Sequence, residues 1–240
     1  MNNLFKHVLV AITLNLPLAS AIAQANLNAT AEPSVSGPET IHLLAGTNLS
    51  AWNTPSSHWE LTDKNILVGQ ALEKLDTPEW LYTKQQFEDF EFTCELKLTG
   101  DHRRNTGIYY RANRFRFEGY RTFEAPSGYE FDASFHRPGK NNYWGAVGDW
   151  YARGSELRVF ADQNLIVDAY KPEDWNRVTL RARGNRFEYW INGIKIMDFV
   201  DQDPLGSKKG VFGLQIHDGT QMKVEYRNIR VKPLLDKPPL

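Results

Sequence analysis

The sequence predicts an all-β fold, two packed antiparallel sheets forming a sandwich or jelly roll. Three observations carry this. About a dozen short stretches alternate apolar and polar residues with period two, turn signals separate them, and no long run has the 3.6-residue period of a helix. Such a chain buries its apolar faces by stacking one sheet on another.

The first 23 residues are expected to be a signal peptide. Lys6 and His7 precede an apolar run from Val8 to Ala23, which ends in the small-x-small pattern Ala21-Ile22-Ala23. Export with cleavage before Gln24 follows, to the periplasm or the medium. No other stretch is apolar enough to span a bilayer, and no lipobox cysteine follows. Residues 24–40 are small, polar and proline-containing and read as a flexible leader.

A single domain is expected over residues 41–233. Trp59-Glu60-Leu61 and Ile66-Leu67-Val68 flank Thr62-Asp63-Lys64-Asn65 and form a hairpin. Leu81 to Lys84 is a short strand. From Phe90 to Leu98, Phe92, Cys94, Leu96 and Leu98 share one face and Glu91, Thr93, Glu95 and Lys97 the other. Leu157 to Phe160 and Asn164 to Val167 suggest a further hairpin. Val178, Leu180 and Ala182 point inward, followed by Phe187, Tyr189 and Ile191. Asn192-Gly193 then closes a tight hairpin into Lys195-Ile196-Met197. Val211–His217 and Met222–Val231 complete the sheets, and residues 234–240 are a tail.

Composition narrows the partners. A formal net charge of −1 argues against nucleic acid or an anionic membrane. Aromatic residues make up 12 % of the chain, seven of them Trp, which suits a protein that handles sugars or flat ligands. The single Cys94 cannot form an internal disulfide and reads as a buried small hydrophobe.

Candidate site residues cluster on three strands. Asn105, Gly107, Tyr109 and Arg111 share one face and Ile108 and Tyr110 the other. After a polar connection, Tyr129 and Phe131 oppose Gly128, Glu130 and Asp132. Near the C-terminus, Phe212, Leu214 and Ile216 oppose Gly213, Gln215 and His217. Three polar rows of this kind suit the floor of a binding groove.

Glu130 and Asp132, two apart on one face, have Cα atoms roughly 7 Å apart. They are close enough to perturb each other, or to share a cation or a substrate. His217 is a base near neutral pH or a metal ligand, and Arg111 is an oxyanion clamp or an ion-pair partner of Glu130. The loop His136 to Ser155 holds Tyr143-Trp144, Asp149, Trp150-Tyr151 and Arg153. Its rings would stack on sugar faces or anchor the loop. Nucleotide-binding glycine loops and the Gly-x-Ser-x-Gly elbow are absent from the sequence.

The Glu130-x-Asp132 strand resembles that of laminarinase-type glycosidases, but Phe135 stands where their second glutamate follows. Two-carboxylate retaining hydrolysis therefore lacks its partner acid, and the neighbouring His136 is a weak substitute. Over nearly the whole expected mature chain the sequence resembles the bacterial 3-keto-disaccharide hydrolase domain (DUF1080). The matching stretches are Leu43 to Trp52, Asn105 to Arg111, Gly128-Tyr129-Glu130, Trp175-Asn176, Trp190 to Gly193, Gly213 to His217 and Tyr226 to Ile229. Many members carry Gln where Asp132 stands here.

The resemblance implies a concanavalin A-like jelly roll of the lectin/glucanase type, and cleavage of a glycosidic bond in a 3-keto sugar by proton abstraction at C2. In that reading Glu130 or His217 is the base. Arg111 holds the oxyanion, or a divalent metal bound by Glu130, Asp132 and His217 does. Asn105, Tyr109, Gln215, Trp144, Asp149, Trp150 and Arg153 bind a glycoside or oligosaccharide. The alternative is a non-catalytic carbohydrate-binding module on the same fold.

Overall fold

The structure, a computed structural model, describes residues 31–46, 48–135 and 139–234. The expected signal peptide, His136 and most of the expected tail lie outside the described residues. Among the described residues, fourteen strands form two antiparallel sheets, the sandwich the sequence predicts.

The first sheet, in spatial order, is β12 (Ile194–Val200), β11 (Arg186–Ile191), β10 (Asn176–Arg183), β5 (Phe90–Gly100), β14 (Met222–Pro233), β3 (Leu67–Ala71) and β2 (Trp59–Leu61), with β1 (Ile41–His42) also paired to β14. The second is β4 (Glu79–Phe87), β13 (Gly210–Ile216), β6 (Asn105–Glu118), β7 (Thr122–Ser134), β8 (Ala146–Gly148) and β9 (Arg158–Val159).

The inward rows are those the alternation assigns. Phe92, Cys94, Leu96 and Leu98 from one sheet meet Ile108, Phe131, Leu214 and Phe212 from the other, all buried. Phe92 stacks on Phe212 with ring centroids 4.7 Å apart, and Phe90 meets the same ring edge-on at 4.8 Å. Two pairs of hydroxyls in this interior bridge the sheets. The Tyr110 and Tyr189 hydroxyls lie 2.5 Å apart, and Thr106 Oγ1 lies 3.0 Å from the Tyr226 hydroxyl. Paired hydroxyls avoid the cost of burying an unsatisfied polar group.

Asn192 (φ 51°) and Gly193 (φ 94°) both occupy the left-handed region at the β11–β12 turn, as a tight hairpin of the Asn-Gly type requires. Four local expectations are corrected. The strand expected from Leu81 to Lys84 extends over all of β4. Residues 112–127, read as a polar connection, are the long arms of the β6–β7 hairpin. Asn164 to Val167, read as a strand, lies in a short helix, α1 (Gln163–Ala169). Asp162 caps it by accepting from the Asn164 and Leu165 backbone N–H groups, which favours a helix start over a second hairpin strand. In the described part of the expected leader, Glu32 accepts from Arg177 and Thr179 and Val35 is buried, so this part packs on the first sheet.

Candidate active site

The outward face of the second sheet forms the floor of a cavity of about 770 Å³. Register sets the pattern. Tyr109 pairs with Glu130 and Gly213, Gly107 with Asp132, and Asn105 with Ser134. Gln215 continues the outward row of β13 opposite Trp80, with His217 two residues further on. Asn105, Tyr109, Glu130, Asp132, Gln215 and His217 all line the cavity. Seven of the eleven sequence-predicted site residues line it, the seventh being Trp150, which reaches in from the loop between β8 and β9.

Two close approaches shape the floor. A Cβ on Gly107 would lie 1.7 Å from Glu130 Oε1, so the Glu130 carboxyl folds back over bare backbone. A Cβ on Gly148, the register partner of Glu130, would lie 2.5 Å from the Trp150 indole. The Trp150 ring therefore lies over Gly148, and Arg158 stacks 4.5 Å from its centre.

Glu130 is 2 % exposed and Asp132 4 %. Burial, then the Asp132 charge, pushes the Glu130 carboxyl well above the usual carboxylate range, and the neighbouring Tyr109 hydroxyl and Trp150 indole act against that rise. Burial raises Asp132 in the same direction, opposed by the Arg158 charge. Two buried carboxyls this close resist ionising together, so the pair holds a proton to higher pH than either would alone. Tyr109 and Tyr151 are both held in the neutral phenol form, first by burial and then by the Glu130 charge.

Asn105 Oδ1, the Tyr109 hydroxyl, Asp132 Oδ1 and Gln215 Oε1 are buried and have no hydrogen-bond partner among the described residues. Buried polar atoms left this way are costly unless something supplies the missing bonds, and here they face a cavity. His217 Nδ1 lies 2.7 Å from the Asp218 carbonyl and 3.3 Å from its carboxylate, which fixes the ring on the cavity wall.

Four predicted residues lie elsewhere. Arg111 sits at a β-bulge, where the β6–β7 register shifts between Tyr110 and Asn113 and its own φ is 48°. The bulge breaks the alternation and turns its side chain away from Glu130. Its guanidinium is buried, donating to the Glu88 and Gly184 carbonyls and pairing with Asp89 at 2.8 Å. Trp144 is 1 % exposed and stacks on Tyr170 at 4.3 Å, in the core rather than over the groove. Asp149 and Arg153 pair with each other at 3.2 Å, and Arg153 also reaches Asp201 at 2.8 Å. That cluster anchors the loop, and neither residue lines the cavity.

No three His, Cys, Asp or Glu side chains among the described residues converge to hold a metal. The expected set Glu130, Asp132 and His217 does not converge in this structure. Sequence reasoning missed Phe117 and Tyr120, which line the cavity from the β6–β7 arm. The alternation of Arg114, Arg116 and Glu118 with Phe115 and Phe117 was the available signal.

Comparison with known families agrees with this architecture. A sequence model described as the 3-keto-alpha-glucoside-1,2-lyase-like domain matches residues 39–232. The chain belongs to this family. No curated protein matches the sequence significantly. Among solved structures, this lyase-like domain is similar to a candidate glycosyl hydrolase of Parabacteroides distasonis, at 18 % identity and TM-score 0.57, covering 85 % of this chain and 99 % of that one. A Bacillus subtilis protein with a galectin-like fold aligns at 13 % identity and TM-score 0.53, over 84 % and 96 % of the two chains. The mannose- and Ca²⁺-bound exoplasmic/lumenal domain of VIP36 aligns at 10 % identity and TM-score 0.54, over 84 % and 92 %. At these identities the structures establish the jelly-roll fold. The family match makes this a carbohydrate-active or carbohydrate-binding domain.

Proposed function

We propose that this domain is an exported enzyme that cleaves the glycosidic bond of a 3-keto-glycoside by elimination. The supporting observation is the pair of buried carboxyls, Glu130 and Asp132, on a floor with unpartnered hydrogen-bonding atoms. A C3 ketone acidifies the hydrogen on C2. Glu130 removes that proton, and the C2–H electron pair moves into an enediolate with its charge on the C3 oxygen. As the C3 carbonyl reforms, a C1–C2 double bond forms and the C1–O bond breaks. The leaving oxygen takes a proton. Water then adds across the new double bond, giving net hydrolysis.

Such chemistry needs one base and one hydrogen-bond donor for the enediolate, not a nucleophile and acid on opposite faces of C1. Glu130 is taken as the member of the pair that ionises, since the neighbouring Tyr109 hydroxyl and Trp150 indole favour its charged form. Asp132, kept protonated beside it, donates to the enediolate oxygen. Asn105 and Gln215 bind sugar hydroxyls, and Trp150 packs on the ring. Glu130 as base, rather than His217, is favoured because it lies on the buried floor, whereas a third of the His217 side chain is exposed.

A lectin-like role is the second reading, and the aromatic lining favours it as much as it favours an enzyme. The purified protein separates the two by product release from a 3-keto-glucoside and from its unoxidised parent, with and without EDTA. Cleavage of the keto substrate alone, unaffected by EDTA, is expected. Binding of both without cleavage would make the domain a lectin, and loss of turnover in EDTA would mean that a metal takes part.

A further inference from the structure

Beyond the carboxyl floor, a chain of aromatic rings runs from Tyr109 through Trp80, behind the lining, to the exposed Tyr120. Tyr109 on the floor meets Trp80 edge-on at 6.0 Å, and Trp80 meets Tyr151 at 5.4 Å. Tyr151 meets Phe117 at 5.3 Å, and Phe117 meets Tyr120 at 6.0 Å. The last two belong to the β6–β7 arm. That arm is tied across the sheet by Arg121, which pairs with Asp76 at 2.9 Å, and by the Tyr120 hydroxyl, 3.5 Å from Asp218. Gly119 makes room for the bend, since a Cβ there would lie 2.2 Å from the Phe117 ring.

Tyr120 lines the cavity yet is 64 % exposed. A ring that buries so little of itself contributes little to the fold, and its apolar face is open to a ligand. The unpartnered polar atoms, by contrast, belong to Asn105, Tyr109, Asp132 and Gln215 on the strands of the floor. The cavity, at about 770 Å³, is in the size range of sites for ligands well beyond one sugar ring.

We infer that Phe117 and Tyr120 form an aglycone subsite, which stacks the leaving unit of the substrate while the floor holds the 3-keto ring. This rests on the proposed elimination at Glu130, and what it adds is the pair of rings that holds the leaving unit. The leaving ring is stacked rather than read by hydrogen bonds, so the subsite accepts a sugar or an aryl ring.

The test compares Tyr120→Ala and Tyr120→Phe with the wild type on a 3-keto disaccharide and on methyl 3-keto-glucoside. The ratio of the two kcat/KM values is expected to fall about tenfold in Tyr120→Ala, the range for losing one apolar contact. Tyr120→Phe, which keeps the ring and loses only the hydroxyl, restores it. A ratio unchanged in Tyr120→Ala would overturn the subsite. Where the wild type turns over neither substrate, the elimination reading fails. The subsite is then judged by the ratio of binding constants for disaccharide and methyl glycoside, with the same two outcomes.

Discussion

Replacing Glu130 with Gln is expected to abolish turnover and stabilise the fold. The amide keeps the size of the carboxyl over Gly107 and keeps Tyr109 and Trp150 as its neighbours, but it cannot take a proton. Loss of a positioned base lowers kcat by about 10²–10⁴, while affinity for the unoxidised glycoside changes little. Stability moves the other way, because the wild-type carboxyl is held above its ordinary range by burial and by Asp132.

The sign follows from linkage. Between the ordinary carboxylate pKa and the raised value in the fold, the native state binds more protons than the unfolded one. The slope of unfolding free energy with pH is therefore negative there, and stability is lost as pH rises through that window. Activity that needs ionised Glu130 rises over the same window. Glu130→Gln is expected to gain about 0.5–2 kcal/mol at neutral pH, the common scale of stabilising substitutions, and to flatten the pH dependence. Thermal melts from pH 4 to pH 8 would show this, and a variant less stable than the wild type at neutral pH would contradict it.

Arg111→Met is expected to do the opposite, lowering stability while leaving the chemistry alone. The guanidinium is buried between Glu88, Asp89, Gly184 and Ser207 and lies 5.4 Å from the centre of the Phe187 ring. Removing it leaves the Asp89 charge and several carbonyls without their donor, a change that costs about 3–5 kcal/mol in comparable buried pairs. Denaturant unfolding would register the loss. Folded variant should keep kcat within about twofold, well short of the loss a positioned catalytic group causes. A folded variant with its activity gone would return Arg111 to the site.

Those two residues show how far the sequence could be read. Period-two alternation placed Glu130, Asp132, Gln215 and His217 on the cavity face and Phe131, Leu214 and Ile216 in the core, because these strands are regular there. It failed at Arg111, where the bulge adds a residue and reverses the facing, and Gly128 opposite, at φ 145°, is its only local mark. The loop aromatics were harder still. Trp144 and Trp150 look alike in sequence, and only the packing of Trp144 on Tyr170 and Phe131 separates core ring from cavity ring. Phe117 and Tyr120 were hidden in a segment whose charged residues suggested a connection.

The most direct measurement of the proposed chemistry is deuterium uptake at C2 during turnover in D₂O. A 3-keto-glucoside is incubated with the protein, and the recovered 3-keto-glucose is examined by NMR against a sample without protein. Elimination followed by water addition removes the C2 proton and replaces it from solvent. The product is expected to carry deuterium at C2, at the rate of aglycone release, and Glu130→Gln to show neither. Release of the aglycone with the C2 hydrogen retained would mean direct displacement at C1, and would contradict the account.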